Sequence, residues 1–453
     1  MKTRKRRAAR ALLHQTYNRG YNAGYDAGYS SGYNLGFQKG EDAYAAGFEG
    51  TSIVIPTINQ QKYLADCIES IGRFTPEPHE IIVIDNGSTD GTADYLRSLP
   101  RNKVRFKCFD RNLGFAGAVN QGLMMARGST ILFLNNDTVV TEKWLANLLA
   151  CLEANPRHGL VGPVTNYISG DQLIKTTYGT MEEMHRFARA FNRLDASKWT
   201  ATERLTGFCV LMRRDVFRRI GYLDEGFEIG NCEDDDYGFR CRLLGLDLII
   251  AKDTFIHHVG STTIKTLTPA QFEEMYARNL AFYSGKWGDT REFLAAVSAH
   301  WEDGRALASN DFYPTRILVK GPGPEIYWVE NGIRRPMAHP PVGVPVTRVS
   351  QVDLKNWPLG EPIAAEEWGG IQAELASAAQ QGRPLAEGAI VQTPDGRLHQ
   401  HQGGKLRRLA TAWVLEAWNL NRYPVRMMTE AEAAVYPSGL PLIAPPVIKA
   451  DNL

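Results

Sequence analysis

The chain has 453 residues, of which 43% are hydrophobic and 10% aromatic, and its net charge is +1. That length allows about three ordinary domains and a sizeable core, and the near-neutral balance excludes the strongly basic footprint of a nucleic-acid-binding protein. No apolar run approaches the roughly 18 residues that span a bilayer. A basic cluster (Lys2, Arg4, Lys5, Arg6, Arg7, Arg10) has no apolar stretch after it, so no secretory signal is expected.

Residues 17 to 40 repeat with a period of four: Tyr17, Tyr21, Tyr25, Tyr29, Tyr33 and Phe37 alternate with Gly20, Gly24, Gly28, Gly32, Gly36 and Gly40. Each glycine costs a helix about 1 kcal/mol relative to alanine, so a helix here would need a partner pressed against its glycine stripe. Two readings of 1–50 stay open, an oligomerisation or docking arm and a low-complexity tail. The six cysteines (Cys67, Cys108, Cys151, Cys209, Cys232, Cys241) fall singly, with no paired C-x-x-C spacing for zinc, which fits reduced cysteines in a cytosolic protein.

From Thr51 the texture changes. Ser52–Pro56 (SIVIP) reads as a strand and Tyr63–Phe74 as a helix. Ile81–Ile84 is a second strand closed by Asp85, and Asp90 opens a helix reaching about Leu99. Val104–Phe109 is a third strand, and RNLGFAGAVNQGL opens the next helix. Thr130–Thr138 reads TILFLNNDT, four consecutive apolar residues followed by Asn135, Asn136 and Asp137. Uninterrupted apolar strands that alternate with helices predict a parallel sheet wrapped by helices. Ligands of such sheets sit beyond the carboxyl ends of the strands. Glycines 87, 91, 114 and 117 lie at those ends, where the chain turns sharply or approaches a ligand.

Met181–Leu194 is an amphipathic helix, Leu205–Met212 a strand, Arg213–Ile220 a short helix and Asp234–Leu244 another helix. Residues 247–262 read as a strand and a loop carrying His257 and His258, and Pro269–Gly285 and Thr290–Trp301 are helical. Beyond Asn310 the chain duplicates itself. VKGPGPEIYWVENGIRR (319–335) answers to VQTPDGRLHQHQGGKLRR (391–408), and PLGEPI (358–363) to PSGLPL (437–442). Strand, Gly/Pro turn, strand and Asn-Gly or Gly-Gly turn is hairpin chemistry. The expected organisation is therefore 1–50 arm, 51–305 main domain, 312–364 first β-rich module, 365–385 helical linker and 386–446 second β-rich module. Tyr327, Trp328, Trp357 and Trp413 are either exposed contact residues of these modules or their cores.

Three acidic residues end separate elements: Asp85, Asp137 and Asp234. Each has a structural alternative, since Asp85-Asn86-Gly87-Ser88 is also turn chemistry and Asp234 could cap the helix that follows it. Their coincidence with the strand-helix order points further. Residues 51–265, through SIVIPTIN, VIDNGSTDGT, RNLGFAGAVNQGL, ILFLNNDTVV, TGFCVLMRRDVFRRIGYLDEGF, CEDDDYGFR and HHVGST, resemble glycosyltransferase family 2, whose members have the GT-A fold. Within it the chain is most similar to rhamnosyltransferase-type members, which also favour Asn-Asn-Asp over Asp-x-Asp.

The resemblance implies an α/β domain with a Rossmann-like, mostly parallel sheet, a nucleotide-sugar donor and a divalent metal, Mg²⁺ or Mn²⁺. Pro56, Thr57, Asn59, Asn86 and Gly87 would line the nucleotide, and Asp85 would recognise a pyrimidine base. Asn112, Gly114 and Asn120 would stand beside nucleotide or sugar. Asn135, Asn136 and Asp137 would occupy the Asp-x-Asp position, Asp137 holding the metal. Asp234 would be the catalytic base with Glu233 beside it. His257 would stand near metal and diphosphate, with His258 as the alternative in a shifted register. The implied activity is inverting transfer from a UDP- or dTDP-sugar to a hydroxyl on a glycan or glycoprotein; the alternative is a carbohydrate-binding or scaffolding protein built on an inactive transferase domain. The expected place is the cytoplasm, with contact at the inner face of the membrane left open. Self-association through the N-terminal repeat or the C-terminal modules is an expected partner mode.

Overall fold

The computed structural model describes residues 47–100, 102–260, 268–301, 305–339, 341, 343–377 and 384–453. The Tyr/Gly repeat and the basic cluster lie outside the described residues. The strands are β1 (Phe48–Thr57), β2 (His79–Asp85), β3 (Val104–Cys108), β4 (Gly128–Leu134), β5 (Thr138–Val139), β6 (His158–Val164), β7 (Trp199–Thr202), β8 (Cys209–Arg213), β9 (Asp247–Phe255) and β10 (His257–His258). Among them run α1 (Gln61–Phe74), α2 (Thr92–Ser98), α3 (Gly114–Met125), α4 (Trp144–Glu153), α5 (Met181–Phe191), α6 (Arg214–Ile220) and α7 (Glu233–Leu243), and α8 (Pro269–Trp287) and α9 (Thr290–Ser298) follow.

The main sheet has the order β3-β2-β1-β4-β8-β6-β9-β7. Its apolar strands are buried on both faces, and alternate residues enter different layers. Val54, Ile82, Ile84, Ile131 and Phe133 join one core, and Ile53, Ile55, Ile81, Val83, Leu132 and Leu134 the other. This period-two division is why the strands read as unbroken apolar runs. β1, β2 and β3 are parallel, as is the pair β6–β9, whereas β8 runs antiparallel to β4 and β6, and β7 antiparallel to β9. The expected mostly parallel sheet is thus found, with β8 and β7 as its antiparallel members.

Asp90 does not head its helix. Its carboxylate accepts the amides of Gln61 (3.0 Å) and Thr92 (3.1 Å), so one side chain serves the starts of both α1 and α2. Beyond the main sheet, β5 and β10 form a separate antiparallel ladder, with Thr138 opposite His258 and Val139 opposite His257.

The C-terminal third contains two four-stranded sheets. The first is built from β11 (Ile317–Lys320), β12 (Ile326–Glu330), β13 (Ile333–Pro336) and β14 (Thr347–Arg348); α10 (Gln351–Asn356) and α11 (Ala365–Ser377) follow it. The second is built from β15 (Ile390–Gln392), β16 (Leu398–Gln402), β17 (Lys405–Arg408) and β18 (Val425–Met427), with α12 (Trp413–Ala417) before the last strand. Their orders are β13-β12-β11-β14 and β17-β16-β15-β18. In each, two antiparallel pairings are completed by a parallel one. The sequence duplication is a duplication of this unit. Trp357 is buried in the principal core, with Tyr327 and Trp413 half-buried against it, and Trp328 is buried in a smaller cluster with Trp368, so these aromatics are core rather than contact surface.

The last residues return to the main domain. Glu225 Oε2 accepts the amides of Lys449 (2.6 Å) and Ala450 (3.1 Å), and Asp224 Oδ1 accepts that of Val447 (3.0 Å). Ile443, Ala444, Ile448 and Leu453 are buried in the principal core. No helix among the described residues is long and apolar enough to cross a membrane.

Candidate functional site

A cleft of about 760 Å³ opens beyond the carboxyl ends of β1, β2 and β4. Pro56, Thr57, Asn86 and Asn112 line it, with Asn135, Asn136, Asp137, Glu233, Asp234 and His258. The strand ends hold one another in place. Asn136 Nδ2 donates to Thr57 Oγ1 at 2.8 Å. Asn86 accepts the Leu113 amide at 2.7 Å and donates to Asn112 Oδ1 (2.9 Å) and to the Gly114 carbonyl (3.1 Å). One asparagine thereby fixes the whole turn into α3.

Other expected residues stand outside the cleft lining. Asp85 is buried at the end of β2, opposite Thr57 in the ladder, and its Oδ1 accepts the Ser88 amide at 3.0 Å. Asn59 turns its side-chain oxygen to the Thr89 amide (2.8 Å). Gly87 has φ +88°, and a Cβ there would lie 2.9 Å from the backbone carbon of Arg111, so glycine is required by both conformation and space. Gly114, at φ +76°, begins α3. Asn120 is corrected. It is fully buried in α3 and spends its amide on the Leu223 backbone (2.9 and 3.0 Å) and on Glu225 Oε1 (2.9 Å), which makes it a structural residue away from the cleft.

The histidine assignment is corrected too. His257 Nδ1 pairs with the Tyr178 hydroxyl at 2.7 Å inside an aromatic cluster, where burial and the neighbouring His258 push its pKa down to about 4. Successive residues of β10 face opposite ways, so His258 is the one that reaches Asp137: Nε2 to Oδ1 is 3.1 Å. The His258 Nδ1 lies 2.8 Å from the Tyr167 carbonyl, which can only accept, so Nδ1 carries the proton. With Nδ1 so engaged, Nε2 is the ring nitrogen left facing the carboxylate. Two donors facing one point, with Asp137 only 4% exposed, fit a shared cation. Among the described residues no group of three or more His, Cys, Asp and Glu side chains is gathered for a metal.

Asp234 lies in the first turn of α7. Its Oδ2 accepts the Gly207 amide (3.0 Å) and its Oδ1 the Asp235 amide (3.0 Å). Burial, reinforced by Asp235, pushes its pKa up to about 6. Glu233 is 5% exposed, and burial with Asp234 beside it holds its carboxyl well above the ordinary range. Asp236, further along the same acidic run, is structural instead, binding Lys286 (2.6 Å) and Arg240 (2.9 Å) in a fully buried charge cluster.

Sequence reasoning missed Arg204, Tyr167, Phe115, Phe208 and Phe272, all of which line the cleft. Arg204 pairs with Asp235 at 2.6 Å and reaches Ser169 Oγ at 3.3 Å, bringing a cation beside the acidic turn. These residues come from loops or first turns, where no periodicity announces them.

The family model described as glycosyl transferase family 2 matches residues 52–221, so this segment is a glycosyltransferase family 2 domain. The chain is 31% identical over 122 residues to glycosyltransferase GlyG of Streptococcus pneumoniae, an alignment covering 26% of this chain and 40% of that protein. It is 28% identical over 232 residues to the O-antigen biosynthesis protein RfbC of Myxococcus xanthus, covering 48% of this chain and 18% of the other. The chain thus spans less than half the length of either relative. Among solved structures, GalNAc-T7 with UDP, GalNAc and Mn²⁺ superposes with a TM-score of 0.41 and 20% identity over 55% of this chain and 50% of that one.

Proposed function

We propose that this chain transfers a sugar from a nucleoside diphosphate sugar, UDP- or dTDP-linked, to a hydroxyl of a glycan or glycoprotein, with inversion at the anomeric carbon. The observation that carries the reading is that Asp234, with a pKa pushed up to about 6, shares one cleft with the Asp137–His258 pair. A base poised near neutrality suits general-base work. Asp137 and His258 would hold Mg²⁺ or Mn²⁺, which neutralises charge on a leaving diphosphate. Asn135 adds an amide rather than a second charge at that point, so the chain supplies one carboxylate there.

Thr57 and Asn112 would offer a hydroxyl and an amide at the strand ends to the nucleotide, with Asn86 holding Asn112 in place and Asp85 holding the turn at Ser88 behind them. Asp234, oriented by the amides of Gly207 and Asp235, accepts the proton of the acceptor hydroxyl. The acceptor oxygen then bonds to the anomeric carbon as the bond to the diphosphate breaks. A single carboxylate acting as base directs attack from the face opposite the leaving group, hence inversion. The test is a thermal-shift screen of nucleotide sugars with Mn²⁺. At least one UDP- or dTDP-sugar should raise the melting temperature, because a ligand bound to the folded state alone stabilises it. The shift should vanish in Asp137→Ala. No shift with any nucleotide sugar would overturn the reading.

A further inference from the structure

Part of the cleft wall plays no role in that transfer. Ile229 there has φ 56°, a left-handed value that is a genuine outlier for a β-branched residue, and Asn231 (φ 80°) follows in the same region. Asn279, buried in α8, clamps the loop. Its Oδ1 accepts the Glu228 amide at 2.9 Å, and its Nδ2 donates to the carbonyls of Glu228 (3.0 Å), Gly230 (2.9 Å) and Asn231 (3.1 Å). The result is an apolar side chain held 40% exposed where the cleft is lined. Phe272, in the first turn of α8, lines the same cleft, and its ring runs nearly parallel (10°) to that of Tyr276, which is 43% exposed one turn further along.

Beside these apolar groups stand two unmet polar ones. Glu233 Oε2 and Asn231 Nδ2 are sealed from solvent and have no hydrogen-bond partner among the described residues, and both residues line the cleft. Buried polar atoms in that state are rare and costly. An apolar wall next to an unpaired acid and an unpaired amide complements a pyranose ring, which has C–H faces and a hydroxyl edge. A lipid chain would cover the wall and leave both polar groups unpaired, and an anion would meet the carboxyl group of Glu233.

We infer that the Ile229–Glu233 loop and Phe272 form a subsite for a pyranose ring of the acceptor, with Tyr276 as the platform for the next ring outward. The acceptor is thus an oligosaccharide recognised over two rings. This rests on the transfer reading above. The experiment is saturation-transfer NMR on the full chain with UDP and Mg²⁺. The probes are the methyl pyranosides of glucose, galactose, N-acetylglucosamine, mannose and rhamnose, then maltose and cellobiose, with geranyl phosphate as a lipid probe. At least one methyl pyranoside should bind. Its signal should fall roughly tenfold in Phe272→Ala and Glu233→Ala, as expected for loss of a ring contact or a hydrogen bond. It should persist in Glu233→Gln, which keeps a polar partner and shows that loss elsewhere is not misfolding. Any gain of a disaccharide over its monosaccharide should disappear in Tyr276→Ala. Absence of pyranoside binding, equal signals in all variants, or binding of geranyl phosphate alone would overturn the inference. Failure of UDP itself to bind, with pyranosides still bound at these residues, would instead overturn the donor reading.

Discussion

At the residue scale, the proposed transfer would have the acidic start of α7 trade stability for chemistry. The folded-state pKa of Asp234 is raised, so the folded form binds a proton more tightly than the unfolded chain. Stability is then lost as pH rises from the ordinary aspartate range through about 6, while a base gains activity over the same interval. Asp234→Asn should therefore abolish transfer yet leave the protein at least as stable at pH 7, and wild-type activity should climb through pH 6 to a plateau; a pH–rate profile beside melting curves checks both. A variant that kept activity, or a flat profile across pH 5 to 7, would contradict this. The two histidines give a second contrast. His258→Ala should weaken Mn²⁺-dependent nucleotide binding at least tenfold, on the order of what lost metal-site partners cost, whereas His257→Phe should change it little; competition binding distinguishes them. Sequence alone could not choose between these neighbours, because a one-residue register difference sends a strand's side chains to opposite faces. Asn120 failed as a ligand for a related reason: a polar residue in a helix pattern does not disclose that its amide will satisfy a buried backbone turn.

At the scale of elements, the strands that were legible are the ones buried on both faces. Ile53–Ile55, Ile81–Ile84 and Ile131–Leu134 leave no other use for such runs. The direction of each strand was not legible, since apolar continuity is the same in parallel and antiparallel strands, and the strand expected near Met212 runs antiparallel to β4. The strand expected from Leu205 begins only at Cys209, because Thr206, Gly207 and Phe208 bend away to line the cleft. α4 and β6 were not anticipated. The helix WLANLLACLE is apolar on most of its circumference and so lacks a clear polar face, and the strand HGLVGPV carries Gly159, Gly162 and Pro163, which read as a loop. Close packing of α3 on β1 supplies an element-scale test. A Cβ at Gly122 would come within 2.2 Å of the Val54 side chain, so Gly122→Ala should destabilise by about 1–3 kcal/mol, read from the urea midpoint. An unchanged midpoint would show that the helix can move away from the sheet.

At the scale of the whole molecule, the C-terminal third is bonded into the transferase domain. Glu225 joins them, taking Asn120 on one oxygen and the tail amides on the other. Removal of residues 443–453 would uncover the principal core, where each buried Ile or Leu contributes about 1.5–3 kcal/mol, and would leave Asp224 and Glu225 short of donors. The truncated chain should melt well below the full one and be cut by protease within the transferase domain; equal melting temperatures would show that the tail is an accessory. The repeat was readable because its turn chemistry recurs in register. Its attachment was not, because no local pattern announces that acids near residue 225 will hold amides near residue 449.

The proposed transfer requires one cleft in which Asp137 serves the leaving diphosphate and Asp234 the incoming hydroxyl. Calorimetric titration of UDP with Mn²⁺ into the wild-type chain, Asp137→Ala and Asp234→Asn addresses that division directly. The dissociation constant should rise at least tenfold in Asp137→Ala, equivalent to about 1.4 kcal/mol, and remain near the wild-type value in Asp234→Asn. Equal binding by all three, or a loss confined to Asp234→Asn, would contradict it.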